Sequence, residues 1–344
     1  VELSYRSAGV DRDTANRAKD RIIEMLSGTA TSGVVANPGG FGGLFRIPRT
    51  MRSGLLVASA DSVGTKVKVA SRANRHAGIG CDIVNHCAND ILVEGARPLF
   101  FLDYLGMGRL EAGTAEAIVG SVAQACRALQ CALLGGETAE LPDMYAPGEY
   151  DLAGFIVGAV EEAERPGAHR VREGDALIAL ASDGFHTNGY SLLRRLLFDN
   201  LKLNVHDAFP GMDQSVADVL LKPHRAYGNA LLPLIADATV HALAHITGGG
   251  IPENLDRVIP DGLSAIVEAG SWNVPDEFRT VAELGHVPPA EMFRTFNMGV
   301  GMVIILAPDQ EADALARLAA AGENAWPLGR VVRGHARVVI PLIE

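Results

Sequence analysis

The sequence predicts an α/β protein made of two units of similar size, and three observations carry that expectation. Its 344 residues suffice for two separate cores. Short apolar runs alternate with amphipathic helical patterns along both halves. Between the halves lies 161–174, a charged stretch broken by proline and glycine, which has the composition of a boundary.

In chain order, residues 13–26 place Ala15, Ala18, Ile22 and Met25 on one helical face, with Asp11 or Asp13 as N-cap. A loop ending in PGGFGGLF (38–45) leads to a strand over 55–60. Residues 82–94 read as a helix closed by Gly95, and 98–104 as a buried strand. A helix over 114–129 buries Ile118, Val122, Ala125 and Leu129, and strands follow at 132–134 and 155–160. Past the boundary come a strand at 176–181, helices at 190–197 and 226–235, strands at 264–268 and 299–306, a helix at 310–320, and strands near Val331 and Val338. The domains are therefore expected over 1–165 and 166–344, and no solenoid repeat is present.

A formal charge of −11 argues against a general nucleic-acid binder, because the phosphate-neutralising term has the wrong sign. Small phosphorylated ligands stay compatible, since a local site or a bound metal outweighs the global field. The first residues, with Glu2, Arg6, Asp11 and Arg12, lack the basic-then-apolar pattern of a signal sequence, and no apolar run approaches the ~20 residues that span a bilayer. A soluble, cytoplasmic protein without membrane contact is expected. Cys81, Cys87, Cys126 and Cys131 lack C-x-x-C spacing and read as buried free thiols.

The 38 glycines exceed the usual share and cluster in tight loops, where backbone can approach a ligand. Most informative is SADSVGTK (59–66), an apolar strand running into a carboxylate, a glycine, a hydroxyl and a lysine. Those groups suit a hard cation and a phosphate, although the order is not that of a P-loop. Asp61 and Glu137 stand where strands are expected to end, and Asp90 lies on a helix face with Asn85 and Asn89. Three carboxylates from three elements suit an oxygen-rich Mg²⁺ site; they equally suit caps and solvated charges.

Glycine-rich turns recur at 38–45, 135–138, 183–188 (DGFHTN) and 247–250 (TGGG). Each alone is explained by positive φ, but together they pair glycine with hydroxyl and amide groups as phosphate loops do. His186 beside Asn188 at a helix start is a candidate for phosphate binding or proton transfer, and His245 lies just before the TGGG turn, two residues from Thr247. Arg294, Thr295 and Asn297 before an apolar strand are candidate contacts or internal partners.

The ordered set SYRSAGVDRDTAN, GGFGGLF, DSVGTK, GCDIVNHCANDILVEGARPLFFLDYL, GGETAELPDMY, SDGFHTNGYSLL, HITGGGIPENL and RTFNMGVGM resembles the AIR synthetase (phosphoribosylformylglycinamidine cyclo-ligase) family over nearly the whole chain. That resemblance implies a two-domain fold of AIR synthetase type. Its N-terminal ATP-binding domain sheets form a barrel at a homodimer interface, and its C-terminal domain is α/β. It implies ATP-dependent conversion of formylglycinamidine ribonucleotide to aminoimidazole ribonucleotide, with ADP and phosphate released. It further implies Mg²⁺ at Asp61, Asp90 and Glu137, and ATP phosphates near Gly40, Gly42, Gly43, Gly64, Thr65, Lys66 and Asn89. Substrate would be held by His186, Thr187, Asn188, Thr247, Gly248, Gly249 and Gly250, with Lys66 and His186 as catalytic groups. Two other classes fit the same motifs: a non-catalytic nucleotide-binding homologue, and a kinase-like relative acting on another acceptor. One departure is Ser62, where the family usually carries glycine. It is compatible only with a turn whose positive φ falls elsewhere.

Overall fold

The structure, a computed structural model, describes residues 21–35, 42–48 and 53–341. Gly40 and the first part of the 13–26 helix, including Ala15, Ala18 and both proposed caps, lie outside them; residues 21–27 are helical. The first unit is a four-stranded sheet of β1 (Gly54–Ser62), β2 (Arg97–Met107), β3 (Ala132–Glu140) and β4 (Tyr150–Glu161) in the order β1-β4-β2-β3. β4 pairs antiparallel with β1 and β2, and β2 pairs parallel with β3. Its helices are α1 (Lys66–Ala73), α2 (Ile79–Leu92) and α3 (Ala112–Ala128).

Helix α2 begins three residues earlier than its sequence pattern suggests, and its Ile79, Ile83, Val84, Cys87 and Ile91 enter one core with Ile118, Val122, Phe101 and Ile156. Full burial of each such side chain contributes roughly 1.5–3 kcal/mol. The opposite sheet face has no such cover. Along β4 the buried Leu152, Gly154 and Ile156 alternate with Ala153, Phe155 and Val157, and Phe155 is 46% and Leu56 62% exposed.

The second unit is a six-stranded sheet in the order β10-β7-β9-β5-β8-β6. Its elements are β5 (Ala176–Ala181), α4 (Tyr190–Arg194, continued by a π-helical turn Arg195–Asn200), α5 (Val216–Leu220), α6 (Gly228–Ala236), β6 (Val240–His245), α7 (Gly250–Asp256), β7 (Leu263–Val267), α8 (Asp276–Gly285), α9 (Pro289–Thr295), β8 (Val300–Leu306), α10 (Glu311–Ala320), β9 (Ala325–Arg333) and β10 (Val338–Val339). β8 is buried at every position, which explains its unbroken apolar run. Ile304 and Leu306 pack with Leu231, Leu234 and Leu318, while Val303 and Ile305 belong to the larger core.

Helix α2 also joins the two units. Its polar residues Asp82, Asn85 and Asn89 bond the backbone of the 222–227 segment. Asn85 Nδ2 donates to the His224 carbonyl (2.7 Å), and Asn89 Nδ2 to that of Arg225 (2.8 Å). Asn89 Oδ1 accepts the Tyr227 N–H (3.1 Å), and Asp82 Oδ1 that of His224 (2.7 Å). One helix therefore carries an apolar face for the first core and a polar face for the seam. The four cysteines are unpaired thiols, and no helix among the described residues is long and apolar enough to cross a membrane.

Candidate active site

The turn after β1 supplies the first wall. Gly64 carries φ 68°, the left-handed value that a Cβ disfavours, whereas Ser62 ends β1 in extended backbone. Serine in place of the family glycine is thus accommodated. The next residue but one, Lys66, turns inward and is wholly buried. Its Nζ donates to Asp82 Oδ1 (2.8 Å) and to the carbonyls of His186 (3.0 Å) and Lys222 (2.7 Å). Burial pushes the Lys66 pKa down and the Asp82 pKa up, and each charge opposes the other's shift. With three acceptors around Nζ, the ammonium form is the one this pocket fits.

Asp61 and Asp90 meet at His86. Its Nε2 lies 2.8 Å from Asp61 Oδ2 and 3.9 Å from Asp90 Oδ2, while His245 Nδ1 lies 2.8 Å from Asp90 Oδ1. Asp61 Oδ1 accepts the Ser62 N–H (2.7 Å), and Ser59 Oγ donates to Asp90 Oδ2 (3.1 Å). Burial works to raise both carboxyl pKa values, but the hydrogen bonds and charges of His86 and His245 outweigh it and hold both below the ordinary range. Conversely, burial lowers His86, yet Asp61 and Asp90 together raise it. The Asp61 and Asp90 side chains stay 40% and 27% exposed, so this acidic pair opens to solvent.

From the second unit, Thr187 Oγ1 lies 2.8 Å from His86 Nδ1 and 3.4 Å from His224 Nδ1, and His224 Nε2 lies 3.0 Å from His245 Nε2. His186, at φ 55°, is fully buried and stacks on His224 with centroids 3.9 Å apart. Burial drives His186 and His224 well below the ordinary histidine pKa. Three glycine-bearing turns converge beside this group. Thr65 Oγ1 and Ser191 Oγ are 3.3 Å apart across the seam, and a Cβ on Gly248 would lie 3.3 Å from Asn188 Oδ1. Gly250 has no room for a side chain: its Cβ would sit 1.8 Å from the Phe293 carbonyl oxygen. Asn254 ties the turn together by donating to the Gly248 (3.1 Å) and Gly250 (2.8 Å) carbonyls.

The structure thus brings Asp61, Asp90, Gly64, Thr65, Asn188 and Gly248 to one seam. Lys66, Asn89 and His186, expected at the ligand, are instead buried within that seam, with Lys66 and Asn89 satisfied by protein partners. Thr187 is likewise engaged, by two histidines. Glu137 stands apart. β3 runs on to Glu140, beyond the 132–134 expected, and the register Ser62–Ala153–Tyr104–Glu137 puts Glu137 on the open sheet face while Asp61 points at α2. Three strand spacings separate β1 from β3, roughly 14 Å, too far for Asp61 and Glu137 of one chain to hold a single ion. Gly43 packs against Leu134, where its Cβ would lie 2.3 Å from Cγ, and Gly42 has open space around it. Arg294 pairs with Glu253 (2.6 Å), Thr295 with Glu291 (3.2 Å), and Asn297 braces the Ser182 and Gly184 turn, so these three are internal partners. Asp82, His86 and His224 escaped the sequence reading. The one available signal was the i,i+4 spacing of His86 and Asp90 on α2.

Family models for AIR synthase related proteins match residues 43–160, as the N-terminal domain, and 172–341, as the C-terminal domain. The chain is 45% identical to the phosphoribosylformylglycinamidine cyclo-ligase of Geotalea daltonii, over 97% of this chain and 96% of that protein. It is also 45% identical to the enzyme of the same name from Trichlorobacter lovleyi, over 95% and 94%. Among solved structures, thiamine-monophosphate kinase from Stenotrophomonas maltophilia superposes with a TM-score of 0.70 at 19% identity, covering 95% of each chain. A hydrogenase maturation protein in complex with ATP superposes with 0.66 at 19% identity, over 94% of this chain and 91% of that one. At those identities the structural likeness speaks for the fold alone.

Proposed function

This chain belongs to the AIR synthase related proteins and, within them, to the phosphoribosylformylglycinamidine cyclo-ligases, and on that premise we propose how its seam performs the reaction. The reaction is the ATP-dependent closure of formylglycinamidine ribonucleotide to 5-aminoimidazole ribonucleotide, a step of purine biosynthesis. The γ-phosphoryl group passes from ATP to the formyl oxygen, breaking its bond to ADP. A nitrogen of the same substrate then bonds to the formyl carbon, loses a proton, and the carbon–oxygen bond breaks to release phosphate. Because nucleophile and electrophile share one molecule, closure is governed by positioning, and no protein nucleophile is needed.

The observation that carries this reading is the paired, solvent-facing Asp61 and Asp90 beside turns from both units. Their carboxylate oxygens fit Mg²⁺, which takes hard oxygen ligands and shares them with phosphates. When bound there, Mg²⁺ offsets charge on the transferring phosphoryl group. Gly64, Thr65, Asn188 and the 247–250 turn hold phosphate and substrate, and Gly42 and Gly43 border the nucleotide. Lys66 and His186 act from behind, shaping the wall rather than touching the ligand. The open apolar face with Leu56 and Phe155 supports a homodimer, in which Glu137 approaches a metal only from the second copy. Labelling the formyl oxygen with ¹⁸O tests the chemistry: the label is expected in inorganic phosphate, and its appearance in water instead would rule out phosphorylation at that oxygen.

A further inference from the structure

The segment 293–297, where α9 runs out toward β8, touches two glycine-bearing turns of the second unit, 183–189 and 247–250. Asn297 is buried. Its Nδ2 donates to the Gly184 carbonyl (3.0 Å), and its Oδ1 accepts the Gly299 N–H (2.9 Å) and lies 3.0 Å from Ser182 Oγ. A backbone carbonyl only accepts and a backbone N–H only donates, so these partners alone fix which way the amide faces. Gly184 and His186 hold left-handed φ values of 66° and 55°, and for His186 that conformation persists only where the surroundings impose it. Phe296 presses on the same turn. Its ring packs on Phe185 with centroids 5.4 Å apart, and a Cβ on Gly189 would lie 2.1 Å from its Cε1.

The same five residues bound the other turn. Gly250 opens α7, and a Cβ there would lie 1.8 Å from the Phe293 carbonyl oxygen and 3.0 Å from that of Phe296. Arg294 pairs with Glu253 of α7 (2.6 Å), which ties α9 to the helix that the TGGG turn begins. Both turns therefore rest on one support, and they meet where Asn188 Oδ1 lies 3.3 Å from the Cβ position of Gly248. We propose that Phe296 and Asn297 are positioning residues: through them one segment sets the distance between 183–189 and 247–250, and so the shape of the second unit's ligand wall. The proposal rests on the reading of both turns as ligand turns, but the bracing itself does not depend on turnover. A displacement of about 1 Å in a catalytic site can lower the rate roughly 100-fold.

The test combines hydrogen–deuterium exchange of the full chain with steady-state kinetics, for Asn297→Leu and Phe296→Leu. The first removes the amide at nearly constant volume, and the second withdraws the ring from Gly189 while leaving the backbone carbonyl at Gly250. In both, exchange over 183–189 should quicken about tenfold or more, with β5 and β8 exchanging as in wild type. The kcat should fall about 10- to 100-fold with the ATP KM changed less than about threefold, since the acidic pair, Gly42 and Gly43 belong to the first unit. Leu318→Ala, which hollows the opposite face of the same sheet beside Leu231 and Leu234, is the control and should move neither readout. Wild-type exchange of the turn in either variant overturns the proposal, and so does an unaltered kcat or an equal loss of kcat in Leu318→Ala. If Asn297→Leu does not fold, Phe296→Leu decides alone. If the protein lacked cyclo-ligase turnover altogether, exchange would still decide the bracing, which separates failure of this inference from failure of the reaction.

Discussion

The two faces of the first sheet are solved in opposite ways. Toward α2 and the second unit, polar groups dominate at the seam, and Lys66, Asn89, His224 and Thr187 each have named partners. Toward the other side, Leu56 and Phe155 lie exposed among alanine and valine. Hydrogen bonds fix distance and direction, whereas apolar burial rewards almost any cover. The seam therefore specifies how two units of one chain must sit, and the open face asks only for a matching surface, the place proposed above for a second copy.

The strongest way to break this contrast is Lys66→Met. It leaves Asp82 buried and unpaired, and a loss of roughly 3–5 kcal/mol in folding stability is expected together with loss of turnover. Thermal unfolding that matches wild type would show that the seam is not held by this pair. Next is Asp61→Asn, which keeps the seam and removes one carboxylate charge. Turnover should fall about 100-fold or more with unfolding almost unchanged. Full activity in Mg²⁺ would refute the metal role. On the open face, Leu56→Asp places a charge where burial contributes roughly 1.5–3 kcal/mol per side chain, and each dimer carries two copies. Sedimentation should show at least a tenfold weaker association, about 1.4 kcal/mol, with the circular dichroism of the fold intact. An unchanged dimer would move the interface elsewhere.

The smallest effect on turnover belongs to Asp103, which is buried on the helix-facing side with none of the seam's cations. Burial first, and the charge of Glu137 second, push its pKa from 3.8 to about 7. The folded protein thus holds a proton that the unfolded chain releases, so this contribution is intact below about pH 4 and is lost as pH rises through about 7. Asp103→Asn should flatten the fall in stability across that window and leave kcat as it was. A slope unchanged by the substitution would mean that Asp103 is ionised in the fold.

Much of the layer order was legible because it rests on local pattern. β1, α2, α3, β8 and α10 show their periods directly, and the end of β1 announced both Asp61 and the Gly64 turn. The site was legible in part. Lys66 looks like a phosphate ligand because its partners are 16, 120 and 156 residues away, and no local signal shows that a lysine will be enclosed. His186 misleads for the same reason: a glycine-bounded loop beside a helix start reads as exposed until β8 and His224 close over it. Glu137 shows the effect of register. Gly135 and Gly136 suggested the end of β3, yet Gly136 continues the strand because the Asp103 carboxylate fills the space where its Cβ would be. One more residue along a strand then turns Glu137 to the opposite face.

The most direct test of the account is a crystal structure of the full chain with Mg²⁺, a non-hydrolysable ATP analogue and substrate. The account predicts the terminal phosphate in the seam, metal-bridged to Asp61 and Asp90 and bordered by Gly64, Thr65 and Asn188, with Lys66 still on Asp82. Nucleotide seated instead in the hollow of about 270 Å³ beside Phe45, Arg46 and Pro98, or Lys66 released from Asp82 onto a phosphate, would contradict it.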